Sequence, residues 1–143
     1  MDATDRDELD SLLIRNQPDV QRMWELLMQP LGWRSTSLWV TFIGADRRPT
    51  RYLLEIADAD VVPSDEELEN LYGVLEHVLE EEGEGCTVAL LVARPGRDPL
   101  GDQDRVFCTR LLAGARRAGV PVEPVHVATD VDIWPVTPDD LAA

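Results

Sequence analysis

The chain has 143 residues, of which 28 are Asp or Glu and 13 are Arg or Lys, and its formal net charge is −15. Apolar residues make up 44% of it, which is typical of a globular protein and, at this length, of one domain with a single core. All of the basic residues are Arg. The acidic excess argues against nucleic acid and against anionic membranes as partners, because both are bound through many Lys and Arg contacts.

The sequence also predicts where the protein resides. Its first residues lack the basic and apolar segments of a signal peptide. The longest apolar run, residues 88–93, is too short to cross a bilayer. Cys86 and Cys108 do not form a CxxC pair, and small buried thiols are typical of a reducing compartment. We therefore expect a soluble, cytoplasmic protein.

In the first half of the chain, the spacing of apolar residues predicts a helix followed by a hairpin. Residues 1–15 are predicted to form a short, frayed N-terminal segment. Pro18, at a first helical position, opens a helix over 19–28. Residues Ser37–Ile43 alternate, with bulky side chains on both faces, which predicts a strand that is covered on two sides. Residues 51–56 return as the second strand of the hairpin. Its inward side chains are predicted to be Tyr52, Leu54 and Ile56.

A predicted linker over 58–63 leads to the clearest helix of the chain. Ser64 and Glu67 have the spacing of a capping box, and the helix is predicted to end at Glu82, before a glycine. A nearly continuous apolar run, Thr87–Ala93, is then expected to form a buried central strand.

The last third of the chain is predicted to form a helix, a strand and a tail. Asp102 is the predicted N-cap of a helix over 103–118. A strand over 120–128 follows, and its two prolines indicate an edge strand. Residues 130–143 form a short tail in which Ile133, Trp134 and Val136 could add a last strand or a docking segment. The order α-β-β-α-β-α-β predicts a single α/β domain, a mixed four- to five-stranded sheet with flanking helices.

The loop over 94–102 occupies the position at which open α/β sheets bind ligands, between a strand and a helix N-terminus. Arg94 and Arg97 could bind a phosphate or a carboxylate. However, Asp98, Asp102 and Asp104 lie among them, and the loop lacks the Gly-Lys-Ser/Thr end of a P-loop and the spacing of a calcium loop. We expect arginines and aspartates to pair with each other, with no catalytic residue, no metal and no cofactor. A small anionic-ligand binder or enzyme using this loop is the alternative.

The two histidines are assigned structural or surface roles. His77 falls on the polar side of the helix over 64–82, where a solvated side chain is expected. His126 lies in a strand, where a structural role is expected over that of a base. Cys108 would be an activated nucleophile only if the fold brought it to His126.

Charge is unevenly distributed along the chain. Residues 58–84 hold eleven acidic residues and no Arg, whereas residues 94–117 hold six Arg and three acidic residues. The acidic helix is either a solvated face or a surface for a basic protein partner, or for self-association with the Arg-bearing helix. The residues of this candidate interaction surface are Glu66, Glu69, Glu76, Glu80 and Glu81.

The part of the chain over 88–130 resembles the last third of the RadC-like JAB/MPN domain, and the hairpin over 37–56 could supply that family's opening strands. The similar segments are Ala89-Leu90-Leu91-Val92, Arg94-Pro95-Gly96-Arg97-Asp98-Pro99, an Asp-led helix with Thr109-Arg110-Leu111-Leu112, Gly119-Val120-Pro121-Val122, and His126-Val127.

The resemblance implies a metallopeptidase-type fold without its metal. The family's site needs an upstream Glu, a His-x-His pair directly after the strand and a later Asp. Here Ala93 or Arg94 and Pro95 stand in place of the histidines, and only Asp102 or Asp104 remains. Without two imidazoles the zinc and its activated water would be lost. The expected function is therefore a non-catalytic acidic interaction or scaffold domain.

Overall fold

The computed structural model describes residues 2–56 and 62–142, in which helices lie on both faces of a five-stranded sheet. The predicted linker over 58–63 falls largely outside these residues. In chain order the elements are α1 (Ala3–Ser11), α2 (Gln17–Met28), β1 (Ser37–Ile43), β2 (Pro49–Ile56), α3 (Asp65–Glu82), β3 (Thr87–Ala93), α4 (Asp102–Ala118), β4 (His126–Ala128), β5 (Ile133–Pro135) and α5 (Pro138–Ala142).

The sheet is mixed, with the strand order β2-β1-β3-β4-β5. Strand β1 pairs antiparallel with both β2 and β3, β3 pairs parallel with β4, and β4 pairs antiparallel with β5. Helix α4 is the crossover between the two parallel strands. The predicted α/β class is therefore confirmed, and the C-terminal tail contributes the fifth strand.

Strand β3 divides the interior into two cores because successive side chains of a strand point to opposite faces. Val88, Leu90 and Val92 belong to a core formed with α3 and α4. Ala89 and Leu91 belong to a second core, which is formed with α2 around the fully buried Trp24. The predicted central strand is thus covered on both faces.

Helices α3 and α4 approach each other closely at Gly114, a residue of α4 that has no side chain. A Cβ atom on Gly114 would lie 2.9 Å from the ring of Tyr72. The hydroxyl of Tyr72 donates a hydrogen bond of 2.5 Å to the carbonyl of Leu111, and burial raises the pKa of this phenol. The ring is therefore fixed against α4. The predicted capping box of Ser64 and Glu67 opens α3.

The prediction of an edge strand over 120–128 is wrong in the length of the strand and in its position in the sheet. Only residues His126–Ala128 form β4, preceded by an isolated bridge between Val88 and Val122. Pro121 and Pro124 have no N–H to contribute to a ladder. Strand β4 is not an edge either, because the tail residues of β5 pair with its outer side.

Strand β2 forms one edge of the sheet, and the side chains predicted to point inward lie on the core side of the sheet but are not buried. Tyr52, Leu54 and Ile56 are 41%, 38% and 41% exposed. They lie on the side of the sheet that carries α3 and α4, since Leu54 is paired with Val40, a residue of that core. The buried core over these helices contains β1 and β3 residues but none from β2. An edge position leaves these apolar side chains partly open to solvent.

Among the described residues, no helix combines the length and the apolar character needed to cross a membrane.

Candidate functional site

The guanidinium of Arg94 anchors the loop after β3. Its Nε atom lies 2.8 and 3.1 Å from the two carboxylate oxygens of Asp104, and Nη2 lies 2.8 Å from Oδ2. Nη2 also donates to the carbonyls of Asp98 and Pro99, at 2.7 and 3.3 Å, and Nη1 donates to that of Pro95 at 3.3 Å. The Arg94 and Asp104 side chains are only 18% and 6% exposed. The bond to Asp104 raises the pKa of Arg94.

The predicted pairing of arginine with aspartate is therefore confirmed for Arg94, and its partner is Asp104. The same carboxylate accepts a 2.8 Å bond from the N–H of Gly101, which precedes the first residue of α4. The prediction of Asp102 as N-cap is wrong, because glycine takes that position and Asp104 caps it from the third helical residue. Asp102 is fully exposed and pairs with Arg105 at 3.1 Å.

The other predicted ligand-binding residues do not converge on one point. Arg97 is exposed and makes no ion pair within residues 2–56 and 62–142. The carboxylate of Asp98 is exposed, and only its backbone carbonyl meets Arg94. A shallow cleft of about 300 Å³ is lined by Arg94, Asp98, Asp102 and Asp104 among others. An anion entering it would meet three carboxylates and an arginine of which every nitrogen already donates a hydrogen bond.

Asp130, which sequence reasoning missed, ties together the loops at this end of the sheet. Its carboxylate accepts bonds from the N–H groups of Gly96, at 2.9 Å, and Trp33, at 3.1 Å. The indole of Trp33 donates to the carbonyl of Thr129 at 3.2 Å. The partners are distant in sequence, so the only available signal was an aspartate that follows a strand. Within the described residues, no group of three or more His, Cys, Asp or Glu could hold a metal ion.

His126 and Cys108 lie on opposite faces of the sheet and form no catalytic pair. The Nδ1 atom of His126 lies 3.0 Å from the Pro124 carbonyl, and Nε2 lies 3.0 Å from the amide nitrogen of Gln17 in α2. Burial lowers the pKa of His126 to about 4, so the ring is neutral at pH 7. A carbonyl oxygen can only accept, so the proton of the neutral ring is assigned to Nδ1. Cys108 is fully buried in the core under α3 and α4, where burial raises its pKa to about 12. The structural role predicted for His126 is confirmed.

The acidic face of α3 is exposed along its whole length. The five predicted surface residues Glu66, Glu69, Glu76, Glu80 and Glu81 are all exposed. In the described part of the chain, Glu81 alone among the five has a neighbour of possible opposite charge, the Nε2 atom of His77 at 3.5 Å. Within the described residues, no Arg pairs with any of the five. Their charge is therefore not neutralised by the domain itself.

A surface groove of about 1100 Å³ lies along this face, between α3 and α4. We call it the α3/α4 groove. Its lining residues are Asp65, Glu69, Asn70, Gly73, Val74, Glu76, His77, Val78, Gly114, Arg117 and Ala118. Val74 is 58% exposed, and a Cβ atom on Gly73 would meet nothing within 4 Å. The groove thus combines small or apolar residues with carboxylates.

Two arginines of α4, of which Arg117 lines this groove, are already paired with Asp65. Asp65 accepts a 2.6 Å bond from Arg110 and lies 3.5 Å from Arg117. Two arginines of the helix therefore neutralise α3 at its first turn and not along its outer face. This arrangement favours a separate basic partner over self-association through α4.

Comparison of this chain with protein-family models, with curated proteins and with solved structures gave no match.

Proposed function

We propose that this chain is a non-catalytic, acidic protein-interaction domain. It binds a basic, amphipathic helical segment of a partner protein in the α3/α4 groove. The observation that carries the proposal is a row of exposed carboxylates that have no arginine partner among residues 2–56 and 62–142, beside a groove that contains an exposed valine and an unfilled glycine position.

The electrostatics of α3 support a cationic partner. The helix carries eight acidic residues and no Arg, and carboxylates that are neighbours on a helix repel each other. Its last turn contains Glu80, Glu81 and Glu82 and no basic residue, although the helix dipole favours cations there. Lys or Arg side chains of a partner would relieve both unfavourable interactions. Such attraction also accelerates association, and it weakens as salt is added.

The floor of the α3/α4 groove supports an apolar contact from the same partner. Glycine in the middle of a helix costs about 1 kcal/mol relative to alanine, yet Gly73 occupies an exposed central position of α3 with no neighbour that requires it. Its missing side chain deepens the groove next to Val74. An amphipathic helix that lays one side chain into such a groove is a common mode of peptide recognition.

The loop after β3 supports the alternative, an anionic-ligand site, less well. Every nitrogen of the Arg94 guanidinium bonds to Asp104 or to a loop carbonyl, so an anion would have to compete with a buried carboxylate. The interpretation as a scaffold agrees with the resemblance of residues 88–130 to a JAB/MPN domain that lacks its histidines. Two free, buried thiols, Cys86 and Cys108, support a cytoplasmic setting.

Selection from a random peptide library displayed on phage tests the proposal. The wild-type chain should enrich peptides that combine Lys or Arg with regularly spaced apolar residues. The enriched peptides should bind the Glu69→Arg/Glu76→Arg variant at least about tenfold more weakly, because two attractive contacts become repulsive. A matched charge reversal far from the groove, Glu25→Arg on α2, should leave their affinity unchanged. Enrichment of peptides that bind both variants equally, or of acidic peptides, would contradict the proposal.

A further inference from the structure

Within the part of the chain that the structure describes, no strand pairs with the outer edge of β2, which is apolar. It is the terminal strand of the sheet order, and Tyr52, Leu54 and Ile56 are exposed on one face while Leu53, 37% exposed, lies on the other. Natural proteins rarely leave a strand of this kind uncovered, since its free N–H and C=O groups pair readily with another strand. We therefore expect another strand to pair with this edge.

The backbone at the centre of β2 is turned toward that open edge. The hydroxyl of Thr41 in β1 donates a 2.7 Å bond to the carbonyl of Tyr52, so this carbonyl points toward β1. The C=O and N–H of a planar trans peptide point in opposite directions. The N–H of Leu53, which belongs to the same peptide unit, therefore points away from β1 and toward a docking strand.

The sequence of β2 is complementary to itself about Leu53. In an antiparallel pair of two β2 strands centred on this residue, Leu53 faces its own copy and Arg51 faces Glu55 of the other copy. The same register sets Tyr52 opposite Leu54. Within the described residues neither Arg51 nor Glu55 makes an ion pair, and both are exposed. Cross-strand pairs of opposite charge, and of aromatic with aliphatic residues, stabilise antiparallel sheets.

Charge also favours this edge as the meeting point of two copies. The chain as a whole carries −15, but the hairpin segment over 44–56 contains three Arg and two acidic residues, a net charge of +1. Two strongly acidic molecules repel each other least through a segment of this kind.

We propose that a second copy of this chain docks on β2 in antiparallel register centred on Leu53. The two sheets become one continuous sheet, and the two Arg51–Glu55 pairs fix the register. The dimer uses a surface other than the α3/α4 groove, so each copy keeps its acidic face free.

Disulfide trapping tests the register directly. Opposed residues that exchange hydrogen bonds in an antiparallel pair have Cα atoms about 5.5 Å apart, which lies within the range that a disulfide spans. A Leu53→Cys variant should therefore form a covalent dimer under mild oxidation. The matched Glu55→Cys variant should remain monomeric on a denaturing gel, because its two copies lie about 14 Å apart along the strands. The native thiols do not interfere, since Cys86 and Cys108 are buried.

Charge reversal tests the pairing without a covalent bond. In sedimentation velocity over a concentration series, wild type should dimerise. Arg51→Glu and Glu55→Arg should each raise the dimer dissociation constant about tenfold, and the double variant should restore it. Far-UV circular dichroism confirms that each variant is folded.

Three outcomes would overturn the proposal. One is a wild-type chain that stays monomeric while Leu53→Cys gives no covalent dimer. The second is equal trapping at positions 53 and 55. The third is a double reversal that dimerises no better than the single variants. A β2 edge that pairs only with a strand of another protein would give the first result.

Discussion

Gly73 in α3 and Gly114 in α4, which both line the α3/α4 groove, should respond in opposite ways to the same substitution. Gly73→Ala adds a methyl group where nothing lies within 4 Å. Alanine is favoured over glycine by about 1 kcal/mol in a helix interior, so this variant should gain about 0.5 to 1 kcal/mol in its free energy of unfolding. Gly114→Ala gains the same helix propensity but sets its methyl group 2.9 Å from the Tyr72 ring.

That ring has little room to move. Its hydroxyl is bonded to Leu111, and a Cβ at position 114 would also lie 3.5 Å from the Leu68 Cβ atom. Overpacking of a buried contact costs about 1 to 3 kcal/mol, which exceeds the propensity gain. Gly114→Ala should therefore lose about 1 kcal/mol on balance, and the two alanine variants should differ by the packing cost alone, about 2 kcal/mol.

Equilibrium unfolding in urea measures this difference. Two-state fits to far-UV circular dichroism give the free energy of unfolding for wild type and both variants, and equal slopes ensure that the values are comparable. A third variant, Tyr72→Phe/Gly114→Ala, removes the fixed hydroxyl, so the relaxed ring should reduce the penalty at position 114. A Gly114→Ala variant as stable as Gly73→Ala would refute the close approach of α3 and α4.

Two further predictions concern buried polar groups. The pKa of His126 is lowered from 6.5 to about 4 in the fold, so below pH 6.5 the unfolded chain binds a proton that the folded chain does not. The free energy of unfolding should then fall as the pH is lowered, with a slope that approaches about 1.4 kcal/mol per pH unit and a total loss of about 1.6 kcal/mol between pH 6.5 and 5. Separately, Asp104→Ala should cost about 3 kcal/mol, because it leaves the Arg94 guanidinium without its carboxylate and Gly101 without its cap. Asp102→Ala should change stability little, because this side chain is exposed.

Matched variants control both measurements. His126→Gln keeps a polar side chain that cannot titrate, so its urea midpoint should be less sensitive to pH from 6.5 to 5 than that of wild type. Equal sensitivity would mean that His126 is not the group responsible. For the loop, Asp102→Ala and Asp104→Ala remove the same atoms two residues apart. Comparable losses at the two positions would contradict the assignment of Asp104 as the partner of Arg94.

The parts of the fold that the sequence predicts well are those in which local signals agree with burial. Strands β1 and β3 match the predicted boundaries. A short run of residues that is apolar on both faces fits a buried strand better than other structures. Helix α3 begins at Asp65, directly after the predicted N-cap Ser64. Helix α4 ends at Gly119, whose φ of 72° suits a residue without a Cβ atom.

The errors arise where the tertiary partner decides the structure. Strand β4 is inside the sheet only because the tail residues Ile133–Pro135 return to it, a contact that no local pattern in its prolines indicates. Alternation in β2 suggested an inward face, yet an alternating strand can equally lie at an uncovered edge. The sequence predicts that arginine and aspartate side chains pair with each other in the loop after β3. The choice of Asp104 over Asp98 and Asp102 depended on how α4 begins, and the bonds that Asp130 makes to distant loops had no sequence signature.

The α3/α4 groove is proposed to bind a basic helical segment of a partner protein. The most direct test is the affinity of one selected basic peptide, measured by fluorescence anisotropy, for wild type and for Gly73→Trp. Filling the open position at residue 73 should weaken binding at least about tenfold. In contrast, Val106→Trp, at an α4 position that is 52% exposed and outside the groove lining, should bind as wild type does. Equal affinity of the peptide for wild type and Gly73→Trp would contradict binding in the α3/α4 groove.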